Sequence, residues 1–329
     1  MKSRAYVGPS LSSGTIRETL MTRAFAAALI ALFVMTLHAA SPVKLMLLDG
    51  ESGGPWHKWQ LTTPVLKKVL EETGLFQVDV VTALPSGDIG GLAAKFAGYR
   101  AVVLNYDAPD ERWPDALKQA FDQYVTSGGG VVVVHAANNA FPGWPEYNQM
   151  IGTGGWRNRT EKAGPYWFFK DGALTSDPSA GPAGSHGARV PFVLTVRQTT
   201  HPIVRGLPSQ WMHQGDELYA RLRGPGGMTV LATAFSDPAN AGSGRDEPIL
   251  MVLTHGKGRI FHTTLGHDVN GMSSVDFIIT LQRGAEWAAT GEVMQKVPAN
   301  FPTADTVSYR SDIAAMDPGY AKGLNGLDK

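Results

Sequence analysis

The sequence predicts an α/β domain built on a largely parallel sheet with helices on both faces. Three observations predict it. Candidate strands such as "GVVVVHAA" are apolar throughout rather than alternating, as strands buried on both faces must be. They are interleaved with amphipathic helical segments. Several of them end on polar or titratable residues, where open α/β sheets place their ligands.

The elements follow in order. "VKLMLLDG" (Val43–Gly50) is a short apolar strand ending in an Asp-Gly loop. In "WQLTTPVLKKVLEETG", Leu61, Val65, Leu66, Val69 and Leu70 recur at helical spacing, and Gly74 ends the helix. "FQVDVVTA" is a second strand and "YRAVVLNYDAP" a third. "WPDALKQAFDQYVTSGGG" is a helix with Trp113-Pro114 at its start, and "GVVVVHAA" is the fourth strand. From Asn138 to about Val190 the chain reads as a long, aromatic-rich functional loop holding Trp144, Trp156, Tyr166 and Trp167. "RVPFVLTVRQ" and "MTVLATAF" are strands, and "EPILMVLTHGKGRIFHTTLGHD" is two strands joined at a His-Gly-Lys-Gly turn. "SVDFIITLQRGAEWAAT" is the closing helix. The chain thus divides into an N-terminal extension with a signal peptide (1–40), one domain (41–297) and a C-terminal tail (298–329) that reads as extended or disordered.

"MTRAFAAALIALFVMTLHAAS" has the layout of a secretory signal, with Arg23, an apolar stretch from Ala24 to Leu37 and small residues before a cleavage site after Ala40. Either Met1 or Met21 is the start, and the alternative to cleavage is a retained anchor. The stretch is too short for an ordinary membrane span, which needs about 20 apolar residues, so no stable span remains after cleavage. Removing residues 1–40 deletes Lys2, Arg4, Arg17, Arg23 and Glu18 from balanced totals of 29 basic and 29 acidic side chains. The slight acidic excess left behind argues against nucleic acid as a partner. The chain contains no cysteine, which removes disulfides and thiol catalysis and fits a periplasmic or secreted location. Walker A, G-x-G-x-x-G, G-x-S-x-G and H-E-x-x-H patterns are absent, so dinucleotide-bound hydride transfer and serine-triad hydrolysis have no support.

The histidines carry the chemistry. His57 follows the first strand in a Gly-Gly-Pro turn flanked by Trp56 and Trp59; His135 ends the fourth strand; His267 stands between the last strand and the last helix. All three occupy strand-to-helix junctions, and three imidazoles converging on one rim form a metal-site pattern. Asp49 and Asp107 belong to the same rim. "WMHQGDELYA" adds His213 as a ligand and Asp216 or Glu217 as the group that moves a proton. His186 ranks second as a ligand. His255 is expected to be exposed, His201 to lie in a turn, His262 in the core, and Arg245 and Asp246 in a salt-linked surface loop. Trp56, Trp144 and Trp167, with Asp107 and Tyr219, are candidate substrate contacts.

"LLDGESGGPWHKWQ", "GGGVVVVHAA", "HPIVRGLP", "HQGDELYARL" and "GKGRIFHTTLGHD" resemble, in this order, the ThuA-like (trehalose utilisation) family, over about Val43 to Val297. The resemblance implies a flavodoxin-like, class I glutamine amidotransferase-like sandwich with a central, mostly parallel sheet. In amidotransferases the turn after strand four carries a nucleophilic cysteine; His135 stands there in this chain, so that activity does not come with the fold. The resemblance implies a metal-supported role in carbohydrate catabolism and does not identify the reaction. The expected one is hydrolysis or elimination of a trehalose-like disaccharide or its 3-keto derivative, with aromatic rings such as Trp56, Trp144 and Trp167 stacking on the sugar's apolar C–H faces. A divalent ion, with Zn²⁺ the leading choice, would sit on His57, His135 and one or two of His213, His267 and Glu217. The alternatives are a non-catalytic periplasmic sugar-binding or accessory protein, or an amidotransferase relic serving as a scaffold.

Overall fold

The computed structural model describes residues 1–3, 5, 6, 8, 41–52 and 54–319. The chain forms two units, Met1–Ser41 and Pro42–Lys329, and all that follows concerns the second. The signal segment expected over Met21–Ala40 lies outside the described residues. Among the described residues, no helix is long and apolar enough to cross a membrane.

The first half is a repeated strand–helix frame. β1 (Val43–Asp49) leads to α1 (Trp59–Glu71) and β2 (Phe76–Thr82). A single helical turn, α2 (Leu92–Lys95), precedes β3 (Ala101–Leu104), and α3 (Asp115–Thr126) returns the chain to β4 (Gly130–Val134). After α4 (Pro145–Ile151) come β5 (Tyr166–Lys170), β6 (Ala173–Asp177), β7 (Ser185–His186), β8 (Phe192–Val196), β9 (Gln210–His213), β10 (Tyr219–Ala220) and β11 (Thr229–Phe235). β12 (Asp246–His255) and β13 (Gly258–Thr263) form the expected hairpin, followed by α5 (Val269–Met272), α6 (Val275–Thr290) and α7 (Ser311–Ala314).

The main sheet runs β2-β1-β3-β4-β13-β12-β11-β8-β9. Its first five strands are parallel, in registers such as Leu47 beside Val80 and Val103, and Val132 beside Phe261. From β13 onward the pairing is antiparallel, and the β5–β6 hairpin joins at Phe169–Asp246. Successive strand residues point to opposite faces, so an all-apolar strand feeds two cores. Leu45, Leu47, Val103 and Val132 pack with Val65, Leu66, Val69 and Leu70 of α1 and with Phe277 and Leu281 of α6. Met46, Leu48, Val102, Val131 and Val133 face the other way, onto Leu117, Phe121 and Val125 of α3. The α/β sandwich predicted from the sequence is present.

Two regions differ from expectation. The stretch 138–190 holds α4 and the β5–β6 hairpin, because Pro145 starts a short helix that buries Tyr147, Met150 and Ile151, and β5 pairs with both β6 and β12. Beyond Val297, residues 298–319 are docked rather than extended. Thr303 O accepts from Met212 N at 2.7 Å, Ser308 O from Val275 N at 2.9 Å, and Ile313 and Ala314 of α7 are buried. The sparse apolar residues of this segment hid its packing.

Candidate metal centre

Three strands of the parallel half, β1, β4 and β13, each lead into a loop or turn that carries one histidine. The β1–α1 loop carries His57, and Ser52 Oγ donates to its main-chain oxygen at 2.5 Å. His135 begins the turn after β4 with φ +45°, a left-handed conformation that a non-glycine residue adopts at a cost of about 1–3 kcal/mol. That sharp turn aims the imidazole across the strand ends. His267 follows Gly266, whose φ is +100° and whose absent Cβ would sit 2.7 Å from the Phe277 ring. The tight β13–α5 turn therefore requires glycine there. Glu217 arrives from the β9–β10 loop.

The imidazole centroids of His57, His135 and His267 form a nearly equilateral triangle with sides of 5.2, 4.9 and 5.2 Å. One potential ligand atom from each of these residues and from Glu217 lies within 4.8 Å of all the others. Glu217 Oε2 is 3.0 Å from His267 Nδ1 and 3.7 Å from His135 Nε2. His135 Nδ1 donates to Thr264 O at 2.6 Å, which leaves the Nε2 lone pair facing the cluster. His57 Nε2 meets Tyr219 OH at 3.2 Å, while His57 Nδ1 is buried with no hydrogen-bond partner. Burial first, then the neighbouring imidazoles of His135 and His267, lower the His57 pKa to about 2, so this ring is neutral. Burial alone would raise the Glu217 pKa, but the facing imidazoles of His135 and His267 outweigh it and hold the carboxyl well below its usual range. Three imidazoles and one carboxylate, with one imidazole nitrogen left unpaired, fit a first-row divalent ion, and Zn²⁺ in particular.

The cluster lies at one wall of a cavity of about 990 Å³. Trp56 stands at its mouth, 72% exposed. Tyr219 lies 4.0 Å from the His135 ring and 4.4 Å from Trp156, centroid to centroid. Trp156, Arg157 and Asn158 all have positive φ, of 49°, 45° and 60°. This strained run swings Arg157 onto Asp107, Nε to Oδ1 at 2.6 Å. Arg189 reaches Asp268 at 3.0 Å and Glu217 at 3.4 Å. Burial foremost, with the nearby Asp216 charge, raises the Asp268 pKa.

The sequence-predicted residues thus separate. His57, His267, Glu217, Asp107, Tyr219 and Trp56 line the cavity, and His135 joins the first three in the cluster. His186 joins its rim, with Nε2 3.6 Å from Glu217 Oε1. His213 does not: it is fully buried, with Nδ1 2.9 Å from Asp276 and Nε2 3.2 Å from Asp216. Burial opposes its charge, but Asp276 and Asp216 override it and raise its pKa to about 10. Asp216 is also away from the cavity. Its oxygens accept from the main-chain nitrogens of Gly266 (2.7 Å), Glu217 (2.8 Å) and His267 (3.2 Å). Trp144 packs in the core, 5.5 Å from Tyr147 in a stacked pair, and Trp167 donates its Nε1 to Gly224 O at 2.9 Å. Neither tryptophan lines the cavity. Trp144 caps the start of α4 and Trp167 lies in β5, and these elements spend their aromatic faces on packing. Asp49 is buried at its strand end.

The lesser histidines divide too. His262 is buried in the core with Nδ1 2.8 Å from Ile151 O, and His201 sits in a turn against Trp287. Arg245 pairs with Asp177 at 2.6 Å and Arg197 with Asp246 at 3.3 Å, as a salt-linked loop. His255, expected to be exposed, is half-buried and pairs with Asp122 at 2.7 Å, because the hairpin folds back on α3. Sequence reading missed Arg157, Arg189 and Asp268. Asp268 had the one readable signal, adjacency to His267.

A family profile described as "ThuA: Trehalose utilisation" matches residues 44–288. A ThuA-like protein from Parabacteroides merdae, known by its crystal structure, is 47% identical. The match covers 83% of this chain and 99% of that one, at a TM-score of 0.79. A second ThuA-like crystal structure, from Bacteroides uniformis, is 19% identical over 77% of this chain and 94% of its own, at a TM-score of 0.53, a likeness of fold alone. No curated protein matches the chain.

Proposed function

The chain belongs to the ThuA, or trehalose utilisation, family, and from that premise we propose that it is a metal-dependent enzyme of carbohydrate catabolism. Its substrate on this reading is a trehalose-like disaccharide or the 3-keto derivative of one, cleaved by hydrolysis or elimination. The observation that carries the reading is the buried group of His57, His135, His267 and Glu217 opening onto a cavity large enough for a disaccharide. The export-like layout of Met21–Ala40 supports action in the periplasm or outside the cell.

His57, His135, His267 and Glu217 would hold a divalent ion, Zn²⁺ by their chemistry, and such an ion supplies Lewis-acid polarisation of a sugar carbonyl or hydroxyl. The remaining roles belong to the protein. Tyr219, wedged between His135 and Trp156, fixes the His57 ring through its hydroxyl, and the exposed Trp56 at the cavity mouth offers the sugar a flat face. The Arg157–Asp107 pair offers both donors and acceptors to sugar hydroxyls. A 3-keto group makes the C2–H bond acidic. Removal of that proton pushes its electron pair into a C1–C2 double bond as the glycosidic C1–O bond breaks, and the leaving oxygen takes up a proton. Asp268, which lines the cavity beside His267, is placed to accept the C2 proton. Asp216 has no such role, since its oxygens are committed to main-chain N–H groups and His213.

The test is turnover of 3-keto-trehalose with metal content measured on the same sample. Close to one equivalent of divalent metal is expected, with activity lost on chelation and restored by Zn²⁺. His135→Ala should lose more than about 100-fold in metal affinity, since even outer-shell partners of ligands cost 10–100-fold. Turnover that survives complete metal removal would overturn the metal reading. Sugar-dependent stabilisation without turnover, in protein carrying no metal, would favour a binding protein instead.

A further inference from the structure

A buried histidine between two buried carboxylates stands outside the cavity and has no part in the proposed chemistry. Among the described residues, His213, Asp216 and Asp276 form a continuous buried chain from helix α6 to the metal cluster. Asp276 is held at one end, where Trp211 Nε1 donates to its Oδ2 at 2.9 Å and Ser274 Oγ donates to its Oδ1. His213 donates to Asp276 with Nδ1 and to Asp216 with Nε2. Asp216 then gathers the main-chain N–H groups of Glu217 and His267, two of the four cluster residues, and of Gly266, which precedes His267. Those residues come from different loops, and only 3.0 Å separates their side chains.

A buried charge without a partner is expensive, and three in a row at zero or near-zero exposure need a reason. Well-packed apolar residues would serve stability as well or better. What they could not do is hold two separate backbone segments by directed hydrogen bonds. The absent Cβ of Gly271 has the same meaning: a methyl group there would stand 2.6 Å from the Asp216 carboxyl, so α5 is closed down onto it.

We propose that His213 is a positioning residue: through Asp216 it sets the spacing between Glu217 and His267, and Asp276 anchors it to α6. The proposal rests on reading the cluster as a metal site. His213 therefore acts on metal affinity and ligand geometry without touching the ion.

The experiment compares the full chain with His213→Gln, Asp216→Asn and Leu281→Ala. Leu281 is fully buried in the apolar core on the same helix and offers no polar group to the bridge, so its truncation is the control for lost stability. Co²⁺ serves as probe, read by its visible absorption and by competition with a chelator. The expected result is Co²⁺ affinity about 10–100-fold weaker in His213→Gln, with a changed visible spectrum. Leu281→Ala should lose stability and keep both affinity and spectrum. If His213→Gln does not fold, the near-isosteric Asp216→Asn carries the same measurement. Wild-type affinity in a folded bridge variant, or equal weakening in Leu281→Ala, would overturn the proposal. Amide hydrogen exchange separates it from the metal reading. Should the parent bind no Co²⁺, the metal reading fails, and the positioning role then stands only if the Glu217 and His267 amides exchange faster in Asp216→Asn than in Leu281→Ala.

Discussion

Glu247 shows what burial does to a carboxyl that lacks a cation as its main partner. It is enclosed in β12, where Ser243 Oγ donates to it at 2.6 Å. Burial foremost raises its pKa to about 7. A folded-state value above the ordinary 4.5 means that the group's contribution to stability is complete below about pH 4.5 and is lost as pH rises through 7. Glu247→Gln should therefore gain about 3 kcal/mol on the parent between pH 4 and pH 8. Urea midpoints of the two proteins measured from pH 4 to pH 8 should diverge as pH rises, and parallel curves would rule the account out. Single residues are also where sequence reading was weakest. His57, His135 and His267 were legible because each stands past the carboxyl end of a strand of one parallel sheet, before the next helix. In "HQGDE", by contrast, His213 points into the core and Glu217 into the cluster. Residue type does not reveal direction in a loop that pairs with nothing nearby in sequence. Trp144 and Trp167 failed for a related reason: an aromatic ring beside glycine and proline suits a binding wall and a packed corner equally.

Helix α6 links sequence to site at the next scale. Its apolar stripe buries Phe277, Ile278, Leu281 and Ala285 against the sheet, and its first turn carries Asp276. In a helix interior, alanine is normally preferred to glycine by about 1 kcal/mol. At Gly284 packing reverses that preference, because a Cβ there would meet the Phe261 ring of β13 at 2.1 Å. Gly284→Ala should cost about 1–3 kcal/mol, as overpacked cores do. Thermal unfolding checks it, and a raised midpoint would show that α6 can shift off β13 freely. The helices and parallel strands were readable because their patterns are local: a period of 3.6, or unbroken apolar runs. The β5–β6 hairpin and the docked segment after Val297 were not. Their order depends on partners far away in sequence, such as Phe169 with Asp246 and Tyr309 with Ser274.

Over the whole domain, the parallel half supplies His57, His135 and His267, and the antiparallel wing supplies Glu217 and the His213 bridge. The C-terminal segment ties them together. It bonds to β9 through Met212, to α6 through Val275 and to α1 through Arg310 and Glu72, and Asp317 reaches the cavity. Deleting residues 298–329 removes the buried side chains of Phe301 and Ile313, worth about 1.5–3 kcal/mol each. For a domain of this size the melting temperature should fall by about 10 °C. An unchanged midpoint in differential scanning calorimetry would show that the segment only rests on the surface.

The four residues of the cluster are drawn from nearly the full length of the domain, His57 close to its start and His267 close to its end. A ribosome delivers them in that order, seconds apart at about 5–20 residues per second. His57 and His135 alone make an open, two-toothed grip, and Glu217 and His267 close it only when the last strand is in place. On the metal reading, a chain still being synthesised or threaded through a membrane pore cannot keep an ion, whatever the supply around it. Loading then becomes a completion signal: it records that the last strand of the sheet has been laid beside the fourth.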